Sequence, residues 1–121
     1  MVESHSATQH AATLDSVFHA LADSTRRSIL RDVTRREMTV GEIAQPHRMS
    51  LAAVSKHLDV LERASLIRRE RRGSCRMVRL NPKPLQAAQD WLAFYETFWR
   101  ANLDRLQAHL ESPNRPTKKE K

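Results

Sequence analysis

Two helix-start signals eleven residues apart constrain this chain more than any other feature of it. Thr39-Val40-Gly41-Glu42 has the spacing of a capping box. The threonine hydroxyl accepts from the backbone N–H three residues on, and the glutamate reaches back to the threonine N–H. Ser50 is a second N-cap, and it precedes a periodic run from Leu51 to about Ala64 with Val54, Leu58 and Leu61 on one face. Pro46 is expected to stop the first helix, leaving Pro46-His47-Arg48-Met49 as a turn. A helix of about two turns has little stability alone. It must pack on the helix that follows, which makes the pair a helix-turn-helix.

The flanking segments complete a pattern. Leu14, Val17, Phe18 and Leu21 recur at helical spacing. Asp23 then interrupts as the N-cap of another helix, with Ile29, Leu30 and Val33 on one face. After the helix-turn-helix, two short runs between Leu66 and Leu80 flank Gly73-Ser74, which reads as a β-hairpin. Asn81-Pro82-Lys83-Pro84 opens a last helix, from about Lys83 to Leu110 and about 40 Å long. Leu85, Ala88, Leu92, Tyr95, Trp99, Leu103, Leu106 and Leu110 form a near-heptad stripe along it, with Trp91, Phe94 and Phe98 in a second stripe beside it. The expected fold is mainly α with a small β-hairpin wing, a winged helix-turn-helix over residues 13–111 that dimerises through its N- and C-terminal helices. Residues 1–12 and the basic segment 112–121 are expected to be tails.

The charge points to a partner. Lys and Arg number 21 against 14 Asp and Glu, a net +7, so the choice lies between a polyanion, most often nucleic acid, and a plain solvated basic surface. Between Arg68 and Arg79 there are six arginines and one acid, which favours the polyanion. With Val54, Leu58 and Leu61 inward, Leu51, Ala52, Ser55, Lys56 and Asp59 lie outward near the start of their helix. Such a helix fits the major groove of double-stranded DNA. There Ser50, Leu51, Ala52, Ser55 and Lys56 can meet base edges or phosphates. His57 either contacts a phosphate or packs on a neighbouring helix. The wing would place Arg69, Arg71, Arg72, Ser74 and Arg76 on phosphates or in the minor groove.

Other classes find little support. Two glycines leave no phosphate-cradling loop, and no nucleophile–base order or cofactor motif stands out, so the chain does not read as an enzyme and needs no cofactor. The single cysteine, Cys75, permits no intrachain disulfide and suits a reducing compartment. It lies among arginines, which favour a reactive thiolate, though an incidental half-exposed cysteine is the simpler reading. No apolar run is long enough to span a membrane, and MVESHSATQHAA does not read as a secretory signal, so a cytoplasmic location is expected.

Several stretches resemble the ArsR/SmtB repressors in order and spacing: Ala20-Leu21-Ala22-Asp23-Ser24-Thr25-Arg26-Arg27-Ser28-Ile29-Leu30, the recognition-helix segment from Met49 to Leu61, the wing from Arg72 to Pro82, and the aromatic run from Asp90 to Leu106. The resemblance covers about residues 13 to 111. It implies a homodimer that represses its own operon from an imperfect inverted repeat. The interface would come from the terminal helices, here Leu14, Val17 and Phe18 with Leu92, Tyr95, Phe98, Trp99, Leu103 and Leu106. Ser65 stands where the family usually has glycine, so the recognition helix is expected to end differently. The metal ligands of the family are missing. Thr39 to Gln45 hold no cysteine, His109 is the one histidine of the last helix, and position 92 is leucine where a histidine would complete a zinc set with Asp90. His5, His10 and His19 make a poor cage. No inducer can be named. Two rival functions remain, a non-specific architectural DNA binder and a helical module that docks on a protein partner.

Overall fold

A computed structural model describes residues 13–111. Its elements are a first helix α1 (residues 13–21), α2 (Ser24–Arg35), strand β1 (Met38–Thr39), α3 (Val40–His47), α4 (Leu51–Arg63), β2 (Ile67–Arg72), β3 (Cys75–Leu80) and α5 (Lys83–Glu111). The chain divides after Ala88 into two compact units, Met1–Ala88 and Gln89–Lys121. The proposed tails lie outside the described residues.

Helices α2, α3 and α4 each start where a side chain relieves their unpaired N–H groups. The Asp23 carboxylate accepts from Arg26 N at 3.0 Å. That bond, first among several causes, holds the Asp23 carboxyl below its usual range. Thr39 and Glu42 close a reciprocal box, with Glu42 N donating to Thr39 Oγ1 at 3.1 Å and Thr39 N donating to Glu42 Oε1 at 2.8 Å. Ser50 Oγ accepts from Ala53 N at 3.1 Å. The end of α1 is satisfied from the next helix. Arg26 donates to the carbonyls of Ala20 and His19 at 2.8 and 3.1 Å, and Arg27 to that of Leu21 at 2.8 Å. The Asp-Ser-Thr-Arg-Arg run is therefore a corner that joins two helices.

Pro46 does not end α3 as expected. It sits in the last turn, and the helix continues to His47 and stops at Arg48, which takes a left-handed conformation (φ 54°). The recognition helix α4 ends in a Schellman arrangement without glycine. Ser65 N donates to Glu62 O and Leu66 N to Leu61 O, with Ser65 at φ 61°. Asn81 secures this turn, its side-chain amide donating to Ser65 O at 2.7 Å and its backbone N–H to Leu66 O at 2.8 Å.

The sheet has three strands in the order β1-β3-β2, all antiparallel. Strand β1 was not foreseen, because two residues carry no periodicity. It ties the segment before α3 to the wing through Met38 opposite Val78. Gly73 and Ser74 make the two-residue turn, with positive φ at the glycine alone. The core of the first unit gathers Ile29 and Val33 of α2, Ile43 of α3, Val54, Leu58 and Leu61 of α4, then Leu66, Ile67 and Val78. All three α4 residues are fully buried, and that fixes which face of the recognition helix is left outside.

Val17 is a correction to the expected interface. It is fully buried within the protomer, because the α1 stripe turns Val17 and Ala20 inward and leaves Phe18 at the surface. The second unit behaves differently. Along α5, the side chains of Leu92, Phe94, Tyr95, Phe98, Trp99, Leu103, Leu106 and Leu110 are exposed, each by 46% or more. Tyr95 contacts Trp91 and Phe94 at ring-centroid distances of 5.0 and 4.9 Å.

Candidate nucleic-acid interface

The outward face of α4 carries Leu51, Ala52 and Lys56, all exposed, and Ser55, half-buried. Leu51 is 61% exposed at the N-terminal end of the helix, where a large apolar side chain is costly in water and suited to a thymine methyl. Lys56 has no ion-pair or hydrogen-bond partner among the described residues. Ser50 is exposed, but its hydroxyl caps the helix; its contribution is to fix the helix start. His57 is half-buried, with Nδ1 at 3.4 Å from an Arg26 guanidinium nitrogen and 3.9 Å from Asp23, so it packs against the α1–α2 corner. Asp59 turns toward the wing.

The wing divides its arginines by face. Opposed residues of a hairpin share a face. Ile67 with Leu80, Arg69 with Val78 and Arg71 with Arg76 lie on one side; Arg68 with Arg79, Glu70 with Met77 and Arg72 with Cys75 lie on the other. Arg69 stands nearest the core on the first side and is spoken for. It donates to Asp59 and Glu62 of α4, each at 2.6 Å, with its side chain only 13% exposed. Burial opposes its charge, yet the bonds to Glu62 and Asp59 outweigh that and raise its pKa further. Arg69 therefore clamps the wing to the recognition helix and is not a free DNA contact.

Arg72 is likewise held by acids. It meets Glu37 at 2.6 Å and Glu70 at 2.7 Å, and Arg79 lies 4.0 Å from Glu70. The Arg72 hydrogen bond, first among the causes, keeps Glu70 below the usual carboxylate range. On the rear face Arg72 and Arg79 thus lie against acids, whereas Arg68 at its base has no carboxylate partner among the described residues. Arg71 and Arg76 face each other toward the tip of the front side, both exposed and both without a carboxylate partner among the described residues. Two guanidiniums side by side repel, and a phosphate between them removes the repulsion. Ser74 is exposed at the turn.

Sequence reasoning missed Glu37, Asp59 and Glu62 as organisers of the wing. Asp59 and Glu62 are three apart on one helix, which places both on one face. That spacing was a readable signal, but its partner on β2 was not. No group of three or more His, Cys, Asp or Glu side chains converges as a metal cage among the described residues. His5 and His10 lie outside them. Cys75 is exposed.

A helix-turn-helix domain family model matches residues 21–70. The transcriptional repressor SdpR of Bacillus subtilis is 35% identical over 79 residues, 65% of this chain and 88% of its own length. The HTH-type transcriptional regulator Rv2034 of Mycobacterium tuberculosis is 38% identical over 98 residues, 81% of this chain and 89% of its own. Among solved structures, an ArsR family transcriptional regulator superposes with a TM-score of 0.68 at 36% identity, covering 74% of this chain and 93% of its own. An ArsR-like regulator from Rhodococcus sp. RHA1 gives 0.64 at 28% identity, covering 84% and 96%. No helix among the described residues is long and apolar enough to cross a membrane. By likeness over most of these relatives' length, and by its helix-turn-helix with a hairpin wing, the chain belongs to the ArsR family of transcriptional regulators.

Proposed function

We propose that this protein is a cytoplasmic repressor that binds an inverted-repeat operator in its own promoter as a homodimer. The observation that carries the DNA-reading part is the selective pairing of its cations. Arg69 and Arg72 are held by carboxylates, whereas Lys56 on the groove face of α4 and Arg71 and Arg76 on the front of the wing have none. Leu51, Ala52 and Ser55 then touch base edges in the major groove, and Arg71 and Arg76 hold phosphates or the adjacent minor groove.

The dimer part is supported by the apolar face of α5. Nine large apolar side chains in one helix are left in water by the single chain. A second copy of the same helix is the simplest cover, because identical stripes are self-complementary about a two-fold axis. Val17 takes no part; Leu14 and Phe18 remain as the α1 contribution. A two-fold dimer would present two recognition helices about 34 Å apart.

Fluorescence anisotropy on the duplex just upstream of the gene, beside a scrambled duplex and across a salt series, tests this. The three proposed DNA-contacting cations per protomer, six per dimer, give an expected slope of log K against log salt of about −5. Tight binding to the native duplex alone supports autorepression. Equal, weak binding to both would leave a non-specific DNA binder, and no salt dependence would leave a protein-docking module.

A further inference from the structure

The first unit contains a cleft at the far end of the recognition helix from its DNA-facing start. Its volume is about 550 Å³, and its walls include Thr13 and Ser16 of α1, Arg63 of α4, Arg68 of β2, Asn81, and Lys83 of α5. The size falls in the ~300–1,000 Å³ range of small-molecule sites. α4 has 13 residues, so the cleft lies about 20 Å along the helix axis from Ser50.

Its cations stand without counterions. Arg36, Arg69, Arg72, Arg79 and Arg100 each lie within 4.0 Å of a carboxylate. Arg63, Arg68 and Lys83 are all exposed, and among the described residues none has an ion-pair or hydrogen-bond partner and no Asp or Glu lines the cleft with them. A smaller depression beside it shares Ser65, Arg68 and Asn81 and brings in Glu62, but that carboxylate already accepts two hydrogen bonds from Arg69 at 2.6 and 3.0 Å. The Ser16 hydroxyl adds a donor of the kind that completes an oxyanion's hydrogen bonds.

We propose that this cleft binds a small organic anion carrying two or more charges on phosphate or carboxylate groups. Arg63, Arg68 and Lys83 supply the charge, Ser16 a neutral donor, and the methyl and pyrrolidine groups of Ala64, Ala87 and Pro84 the apolar wall. Three cations brought together without a counterion repel one another, and a multivalent anion converts that repulsion into attraction. The anion would bridge the end of the recognition helix, the base of the wing and the start of α5. It is therefore placed to act on DNA affinity from a site that DNA does not occupy.

The test uses the full chain without DNA, so it is independent of the operator assignment. Pyrophosphate and citrate are titrated in a phosphate-free buffer at constant ionic strength, with acetate as the monovalent control, and amide NMR shifts are followed. The expected result is saturable shifts centred on Ser65, Asn81 and Lys83 for the multivalent anions, a much weaker response to acetate, and an affinity reduced about tenfold in an Arg68→Gln, Lys83→Gln variant. Preference for one probe identifies whether phosphate or carboxylate is read. Arg31→Gln, an exposed arginine away from the cleft, should leave the affinity unchanged. Shifts that never saturate, that centre on Arg71 and Arg76, or that persist equally in the double variant would overturn the proposal.

Discussion

The two units of this chain use apolar residues in opposite ways. In Met1–Ala88, leucine, isoleucine and valine from three helices and two strands close on one another, and Ile29, Ile43, Leu58, Leu61, Leu66 and Ile67 are almost fully buried. In Gln89–Lys121, the described part is a helix whose large apolar side chains are each 46% or more exposed, among them Phe94 at 75% and Phe98 at 65%. One unit satisfies its own hydrophobic residues; the other displays them. Burial of such side chains is worth roughly 1.5–3 kcal/mol each, so the second arrangement makes sense when a further surface supplies the cover. On the proposed function, DNA reading and assembly are divided between a self-contained core and a helix that needs a partner.

The largest expected effect probes the self-contained half. Leu58→Ala should remove about 2–5 kcal/mol of stability by urea denaturation, through lost burial and the cavity left beneath the recognition helix. If Leu103→Ala on α5 costs as much in a monomeric sample at low concentration, the contrast between the units fails. Next, Phe98→Glu should raise the concentration for dimer dissociation about a hundredfold, equivalent to about 2.7 kcal/mol, while the far-UV spectrum of the monomer stays folded. Both tryptophans, Trp91 and Trp99, lie on α5 and are 47% and 62% exposed in the single chain. Their emission should therefore shift to the blue as the wild-type protein associates, and the variant should lose that shift. An unchanged sedimentation profile would assign the stripe to some other partner.

Within the first unit the wing offers a finer division. Arg69→Gln should cost about 1–3 kcal/mol of stability, because two carboxylates on α4 lose a charge-assisted bond. Arg71→Gln with Arg76→Gln should leave the melting temperature nearly unchanged and flatten the salt slope of DNA binding by about 4 in a dimer. Equal effects of the two variants on stability would erase the distinction between clamp and contact. Ser65→Gly should stabilise by about 0.5–1 kcal/mol in thermal unfolding, since a serine at φ 61° bears a left-handed strain that glycine avoids.

The smallest effect is on pH dependence. Asp23 is depressed first by its bond from Arg26 N, Glu42 first by its bond from Thr39 N, and Glu70 first by Arg72. A carboxylate whose folded pKa lies below its unfolded value binds protons more readily when unfolded. Its stabilisation is complete above the usual 3.8 of aspartate and 4.5 of glutamate, and is lost as pH falls through the lower folded values. Stability should be flat down to about pH 5 and then decline. Denaturation midpoints in the variant Glu42→Gln should decline less steeply.

Helix starts, the hairpin turn and the buried faces were legible from sequence because they depend on neighbours within four residues: Asp23, Thr39, Ser50, Gly73, and the spacing of Val54, Leu58 and Leu61. Membership of a helix-turn-helix family was legible for the same reason, since local signals came in a fixed order. What could not be read was which long side chain meets which. The sequence presents Arg69, Arg71, Arg72 and Arg76 as equivalent cations, and presents Val17 and Phe18 as one stripe. Only the tertiary structure sets Arg69 against Asp59 and Glu62, sets Arg72 against Glu37 beside a two-residue strand, and turns Val17 inward and Phe18 out. Periodicity is local and survives in one dimension. Coulombic pairing and burial depend on distances through space, and those exist only once the chain has folded.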